Sequence, residues 1–238
     1  MKKIFLLLAL AFSVPAIAQT CGDFEQFNKG VTYTMTSYNG KDKVTGTTTT
    51  TVDNASKTAT GASADLTQVT KDEKGKETGT IKSTVTCDNG TYSVDMKSFV
   101  SPEMKEGYKN MDLKFEGNAL NYPPTMAVGQ TLPDGQVKMM AAQNGAAFGT
   151  TVVDIKDRKV EAKETITTGA GTFECFKITY TIDLNSMMIL PTGGEMKMPG
   201  LKPRQVTEWF SFKVGAVKSE TWKGDKKEGY TVLTALTK

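Results

Sequence analysis

Apolar and polar residues alternate with a period of two in segment after segment of this chain. Val31, Tyr33 and Met35 alternate with Thr32, Thr34 and Thr36. Tyr92, Val94 and Met96 alternate with Ser93, Asp95 and Lys97, and Met111, Leu113 and Phe115 with Asp112, Lys114 and Glu116. This spacing gives a helix no continuous apolar stripe, but it gives a β-sheet one dry and one wet face. The Thr47–Thr51 run is β-branched at every position, which suits a pleated strand and disfavours a helix.

Turn signals separate these runs at the spacing of an antiparallel meander. Asn39-Gly40 and Asn89-Gly90 predict type I′ hairpin turns, which need positive φ at both central residues. Lys74-Gly75, Asp157-Arg158, Gly169-Ala170-Gly171 and Gly224-Asp225 are read as further reversals. The pattern predicts roughly ten to twelve strands. One short helix is expected over Pro102–Tyr108, with Ser101 as its N-cap. Residues 121–135 and 185–203, rich in Pro, Gly and Met, are read as irregular excursions. The fold expected is all-β: a strongly curved antiparallel sheet forming an open or incomplete barrel. Residues 19–238 are read as a single domain, with a boundary near Pro123 as the alternative. A closed lipocalin-type barrel is the other candidate, weakened because Trp209 and Trp222 both lie late in the chain.

Residues 1–18 carry a different signal. Lys2 and Lys3 precede the apolar run Ile4–Phe12, and Ala16-Ile17-Ala18 is a small-x-small site. This is a secretory signal peptide, too short for a spanning helix of about 20 apolar residues. Ala18-Gln19-Thr20 before Cys21 does not form a lipoprotein box, so the mature chain is expected to start at Gln19 in the periplasm or at the cell surface. No other apolar stretch approaches membrane-spanning length.

Composition narrows the chemistry. The formal charge is +3, of which Lys2 and Lys3 supply two, so the mature chain is nearly neutral and has no footprint for nucleic acid. Arg158 and Arg204 are its only arginines, which disfavours bidentate phosphate clamps. There is no histidine, which excludes Ser-His-Asp and Cys-His catalysis and the usual His-containing zinc sites. The expectation is a non-catalytic protein without metal or other cofactor.

In an oxidising compartment two of three cysteines usually pair. Cys21 and Cys87 are the expected bridge, with Cys175 free between Phe173 and Phe176. A reactive Cys175 activated by Lys177, two residues along one strand face, is the sharper reading; a buried small hydrophobe is favoured. Met187, Met188, Met196 and Met198 are read as a flexible lid over apolar surface in preference to a copper site. Glu208 and Glu220 could form a carboxylate pair for acid–base work on a sugar. Cross-strand charge pairing on a wet face is the favoured account, and Lys218 and Glu220 are expected to be structural.

The segment Gly171-Thr172-Phe173-x-Cys175-x-Lys177-Ile178, then Glu208-Trp209, then Gly215-x-Val217-Lys218-Ser219-Glu220, resembles the TapB-like exported bacterial proteins. Tyr33, Gly40-Lys41, Cys87 with its Asn-Gly turn, and Tyr122-Pro123 with Gly129-Gln130-Thr131-Leu132 fit the same pattern. The resemblance covers almost the whole mature chain. It implies an exported incomplete barrel akin to periplasmic lipoprotein-carrier folds, and it supplies no catalytic residue. The function expected is therefore binding of an apolar small molecule, a lipid or an envelope protein. A cell-surface assembly protein that recognises polypeptide is the alternative.

Overall fold

The computed structural model describes residues 21–96, 110–190, 192–199 and 202–238. The expected signal peptide and cleavage site and the expected Pro102–Tyr108 helix lie outside them. Among the described residues there are fourteen strands and two 3-10 turns, Cys21–Asp23 and Glu25–Phe27. The strands are β1 (Thr32–Asn39), β2 (Val44–Lys57), β3 (Gly61–Asp72), β4 (Glu77–Asp88), β5 (Thr91–Asp95), β6 (Asp112–Gly117) and β7 (Ala119–Tyr122). They continue with β8 (Gly135–Gln143), β9 (Ala146–Thr168), β10 (Gly171–Ile189), β11 (Glu195–Lys197), β12 (Arg204–Ser211), β13 (Gly215–Lys223) and β14 (Lys226–Thr237).

All pair antiparallel in one sheet of order β6-β8-β9-β10-β12-β13-β14-β1-β2-β3-β4-β5-β7, with β11 added onto β10. The two ends of that path, β6 and β7, are consecutive in the chain and separated only by Asn118. The sheet therefore curls into a nearly closed barrel with one unsealed seam, crossed by the chain itself and not by a ladder. Asn118 pins the crossing. Its amide donates to the Gln136 carbonyl (3.1 Å), its Oδ1 accepts from the Gln136 amide (2.6 Å), and its Nδ2 donates to the Asp134 carbonyl (3.1 Å).

The N-terminal turns cover one end of the barrel. Glu25 donates its amide to the Lys213 carbonyl after β12, and the Gly30 amide donates to Val52 on β2. This span carries Phe24 and Phe27 inward, to 0% and 1% exposure. Phe24 stacks on Tyr92 (centroids 4.9 Å apart) and meets Phe212 edge-on. A disulfide between Cys21 and Cys87 ties the same span to β4 across a sequence separation of 66. In the chain-entropy account a loop of this length stabilises by about 4 kcal/mol. Cys175 is free and buried.

The all-β reading and the Asn89-Gly90 turn (φ 46° and 80°) agree with the structure. Three local readings are corrected. At Asn39-Gly40 the left-handed residue is Asp42 (φ 61°), because Asn39 Oδ1 accepts from the Lys41 and Lys43 amides and widens the loop. Asp157-Arg158 is no reversal but a bulge within β9: Asp157 has φ 59°, and Lys156 and Lys159 pair with Thr181 and Thr179 on either side of it. The 185–203 stretch is partly strand. β10 runs on to Ile189 against β9 and then folds back as β11.

Candidate functional site

The interior is built on β12, where Val206, Glu208 and Phe210 share one face by strand alternation and all are buried. Paired residues of neighbouring strands lie on the same face, so the row through Glu208 runs from Ile178 to Glu208, Ser219, Thr231, Ser37 and Gly46. This row is polar on one side of the carboxylate and apolar on the other. Tyr33, Thr50 and Gln68 form a parallel row, and Thr48 and Thr70 join hydroxyls across β2 and β3 at 3.1 Å.

Glu208 sits at 6% exposure. The Tyr122 hydroxyl donates to its two oxygens, at 3.2 Å and 3.0 Å. Tyr122 in turn stacks on Phe210 with centroids 4.0 Å apart. Burial raises the Glu208 carboxyl above the ordinary carboxylate range, while Arg158 and the Tyr122 hydrogen bond pull the other way. Tyr122, Tyr180 and Tyr92 are all raised, first by burial and then by the Glu208 charge among other groups. Tyr33 is pushed up to about 12 by burial.

Arg158 is fully buried, and its guanidinium lies 4.8 Å from the centre of the Tyr122 ring. The β9 bulge explains its presence. Val153 and Ile155 face inward, so an unbroken strand would carry Asp157 into the core; the extra residue turns Arg158 and Val160 inward instead. Arg158 Nη1 donates to the carbonyls of Asn121 (2.9 Å) and Pro133 (2.6 Å), while Nε and Nη2 have no partner among the described residues. The proline-rich loop before β8 supplies one of those carbonyls and pairs with β9 at Arg158 and Val160 through Leu132 and Gln130.

A cavity of about 300 Å³ opens beside Glu208, walled by Tyr33, Tyr92, Tyr122, Tyr180 and Phe210 and bordered by Thr48, Gln68 and Ser83. Gln26 also lines it. Its Nε2 donates to the Val214 carbonyl at 2.8 Å, and its Oε1 is buried without a partner. Gly215 makes this possible: it has φ 78°, and a Cβ there would collide with the Gln26 carboxamide.

Of the residues singled out from sequence, Glu208, Gly215, Tyr33 and Tyr122 line this cavity, and the other candidate site residues lie elsewhere. Lys177, Trp209 and Lys218 form a cross-strand row on the opposite face of the sheet. There Trp209 packs with Phe173, Cys175, Val214, Val217 and Leu233 in a second, smaller core. Burial pushes the Cys175 thiol up to about 12, with Glu164 and Glu174 adding to the effect, so Lys177 does not activate it. Lys177 pairs with Glu164 (3.8 Å) instead. Glu220 pairs with Lys218 at 2.8 Å and faces away from Glu208, so the two glutamates do not form a carboxylate pair. Gly171, with φ 134°, opens β10. Met187, Met188 and Met196 lie where β10 meets β11, with Met198 just beyond; none of the four lines the cavity, and Met196 and Met198 are exposed. Sequence reasoning missed the Tyr122–Glu208–Arg158 group, although the Val206, Glu208, Phe210 alternation carried the signal for its central member.

Among the described residues no cluster of three His, Cys, Asp or Glu side chains is arranged to hold a metal ion. No helix among them is long and apolar enough to cross a membrane.

Residues 28–233, nearly all of this barrel, match the DUF3108-like family. The chain belongs to that family. Its fold is shared by a candidate exported protein with a YmcC-like fold from Bacteroides fragilis NCTC 9343, at 24% identity and a TM-score of 0.66 over 89% of this chain and 97% of that one. It is shared also by a candidate lipoprotein from Parabacteroides distasonis ATCC 8503, at 25% identity and a TM-score of 0.69 over 90% and 97%. No curated protein matches the chain. These likenesses establish the family and the barrel and leave the chemistry of its interior to the residues themselves.

Proposed function

We propose that this DUF3108-like chain is an exported, non-catalytic envelope protein that holds a small amphipathic molecule inside its incomplete barrel. The observation that carries this reading is the cavity of about 300 Å³, lined by tyrosines, apolar side chains and a border of Thr, Ser and Gln, with one buried carboxylate in its wall. That volume is at the lower end of the ~300–1,000 Å³ usual for small-molecule pockets. Export is supported by residues 1–18 and by the descriptions of the two structural neighbours. The disulfide at Cys21 uses the sulfur that lipidation would need, which favours a mature start at Gln19 over a lipid anchor. The absence of histidine and the separation of Glu208 from Glu220 support binding without catalysis. The narrower TapB-like membership belongs to the same reading, as does a single domain over residues 19–238.

Native mass spectrometry of protein purified from its own cells tests this. A small organic mass, released on denaturation and absent from a folded Ser219→Phe variant that fills the cavity, is the expected result. A mature protein without bound mass that also takes up no small amphiphile would contradict it. Replacing Met196 and Met198 with Ser separates the cavity from the methionine lid: bound mass should survive if the cavity acts alone.

A second reading has one observation behind it. β11 pairs with β10 only and carries exposed Met196, so a polypeptide partner could add a strand there. A retained protein mass in the same spectrum would favour it.

A further inference from the structure

Resting on the cavity reading above, we propose that the ligand enters with a positively charged head: a small organic ammonium ion seated between the Glu208 carboxylate and the surrounding tyrosine rings. Among the described residues the cavity wall contains one charged side chain, Glu208. Its hydrogen-bond donor among the described residues is a single Tyr122 hydroxyl shared between both oxygens, whereas an ionised carboxylate offers about four acceptor sites. A second buried acceptor belongs to Gln26, which also lines the cavity. Gln26 is 4% exposed, its Nε2 is fixed on the Val214 carbonyl, and its Oε1 is left without a donor. Buried acceptors without partners cost free energy, and a ligand bearing N–H groups removes that cost.

The aromatic wall points the same way. Tyr33, Tyr92, Tyr122 and Tyr180 line the cavity. Phe210 and Arg158 already cover the Tyr122 ring and Phe24 stacks on Tyr92, so Tyr33 and Tyr180 are the rings left to a cation. Such rings attract cations most strongly where water is excluded. Tyr122 already holds the Arg158 guanidinium against its ring. Arg158 itself is not part of the cavity wall. An anionic head in the cavity would meet Glu208 in its wall and not Arg158. Leu66, Val85 and Val94 also line the cavity and give it apolar surface suited to a short apolar body.

The probes are octylammonium, octanol and octanoate, titrated calorimetrically into the disulfide-intact mature protein. Octylammonium should bind at least about tenfold more tightly than either other probe. In Glu208→Gln that preference should disappear while octanol binding persists. Wild-type protein supplies a second readout that needs no variant: octylammonium affinity should fall on acidification as Glu208 takes up its proton. The groups that face Glu208 in this titration are Tyr122 from β7, Tyr180 from β10, Tyr92 from β5 and Arg158 from β9. Equal or tighter binding of octanol or octanoate would overturn the cation assignment and leave the cavity reading standing. No binding of any probe would overturn both.

Discussion

Glu208 and Trp209 are adjacent in the chain, yet the sheet sends them to opposite sides, and each side reverses the usual placement of its residue type. Glu208 goes inward among Tyr122, Tyr180 and Phe210, where its charge is desolvated and opposed by a buried arginine. Trp209 goes to the other face, where it is 6% exposed because its neighbours cover it. Its Nε1 donates to Glu164 at 2.8 Å, and the Lys177 and Lys218 ammonium groups lie 5.5 Å and 4.5 Å from its ring. The charges around Trp209 keep contact with water and with each other. The charges around Glu208 do not. The difference shows that alternation fixes the face a residue occupies, and that the surrounding charges decide whether the position is a site or a support.

The largest expected effect of breaking this contrast is on the inner side. Arg158→Ala should destabilise by about 3–5 kcal/mol in denaturant unfolding, because it leaves Glu208 uncompensated and two backbone carbonyls unpaired. Adding Glu208→Gln to Arg158→Met should recover much of that loss, since no isolated buried charge then remains. On the outer side, Trp209→Phe keeps a ring in place but removes the N–H donor to Glu164, with an expected cost of about 1–3 kcal/mol by the same measurement. Lys218→Ala removes a partly exposed ion pair with Glu220 and should cost at most about 1 kcal/mol. If Lys218→Ala proved as damaging as Arg158→Ala, the two faces would not differ in kind.

The sequence showed the barrel more clearly than the site, for a physical reason. Period-two alternation and the Asn89-Gly90 turn are local signals, and both survive into the structure. The bulge at Asp157 was indistinguishable from a hairpin turn, since an Asp at positive φ serves either. Only the inward spacing of Ile155 and Arg158, three residues apart, reveals that one residue is extra. The end of β10 looked irregular because its Met and polar residues form no alternating pattern; pairing with β9 from Gly149 onward holds it extended. The Tyr122–Glu208 contact joins residues 86 apart, and no local spacing encodes it.

The ionisation of Glu208 tests the account most directly. Its carboxyl is raised in the folded protein, so between the unfolded and folded values the folded state holds a proton that the unfolded chain has already lost. Glu208 therefore supports stability below the unfolded value of about 4.3, and that support is lost as pH rises through the folded value. Glu208→Gln should remove this component of the pH slope. Carbon-detected NMR titration of labelled glutamate carboxyls, assigned with Glu208→Gln, reads the group itself. The account predicts that Glu208 titrates above the ordinary carboxylate range, and higher still in Tyr122→Phe. A Glu208 that titrates at or below that range would contradict it.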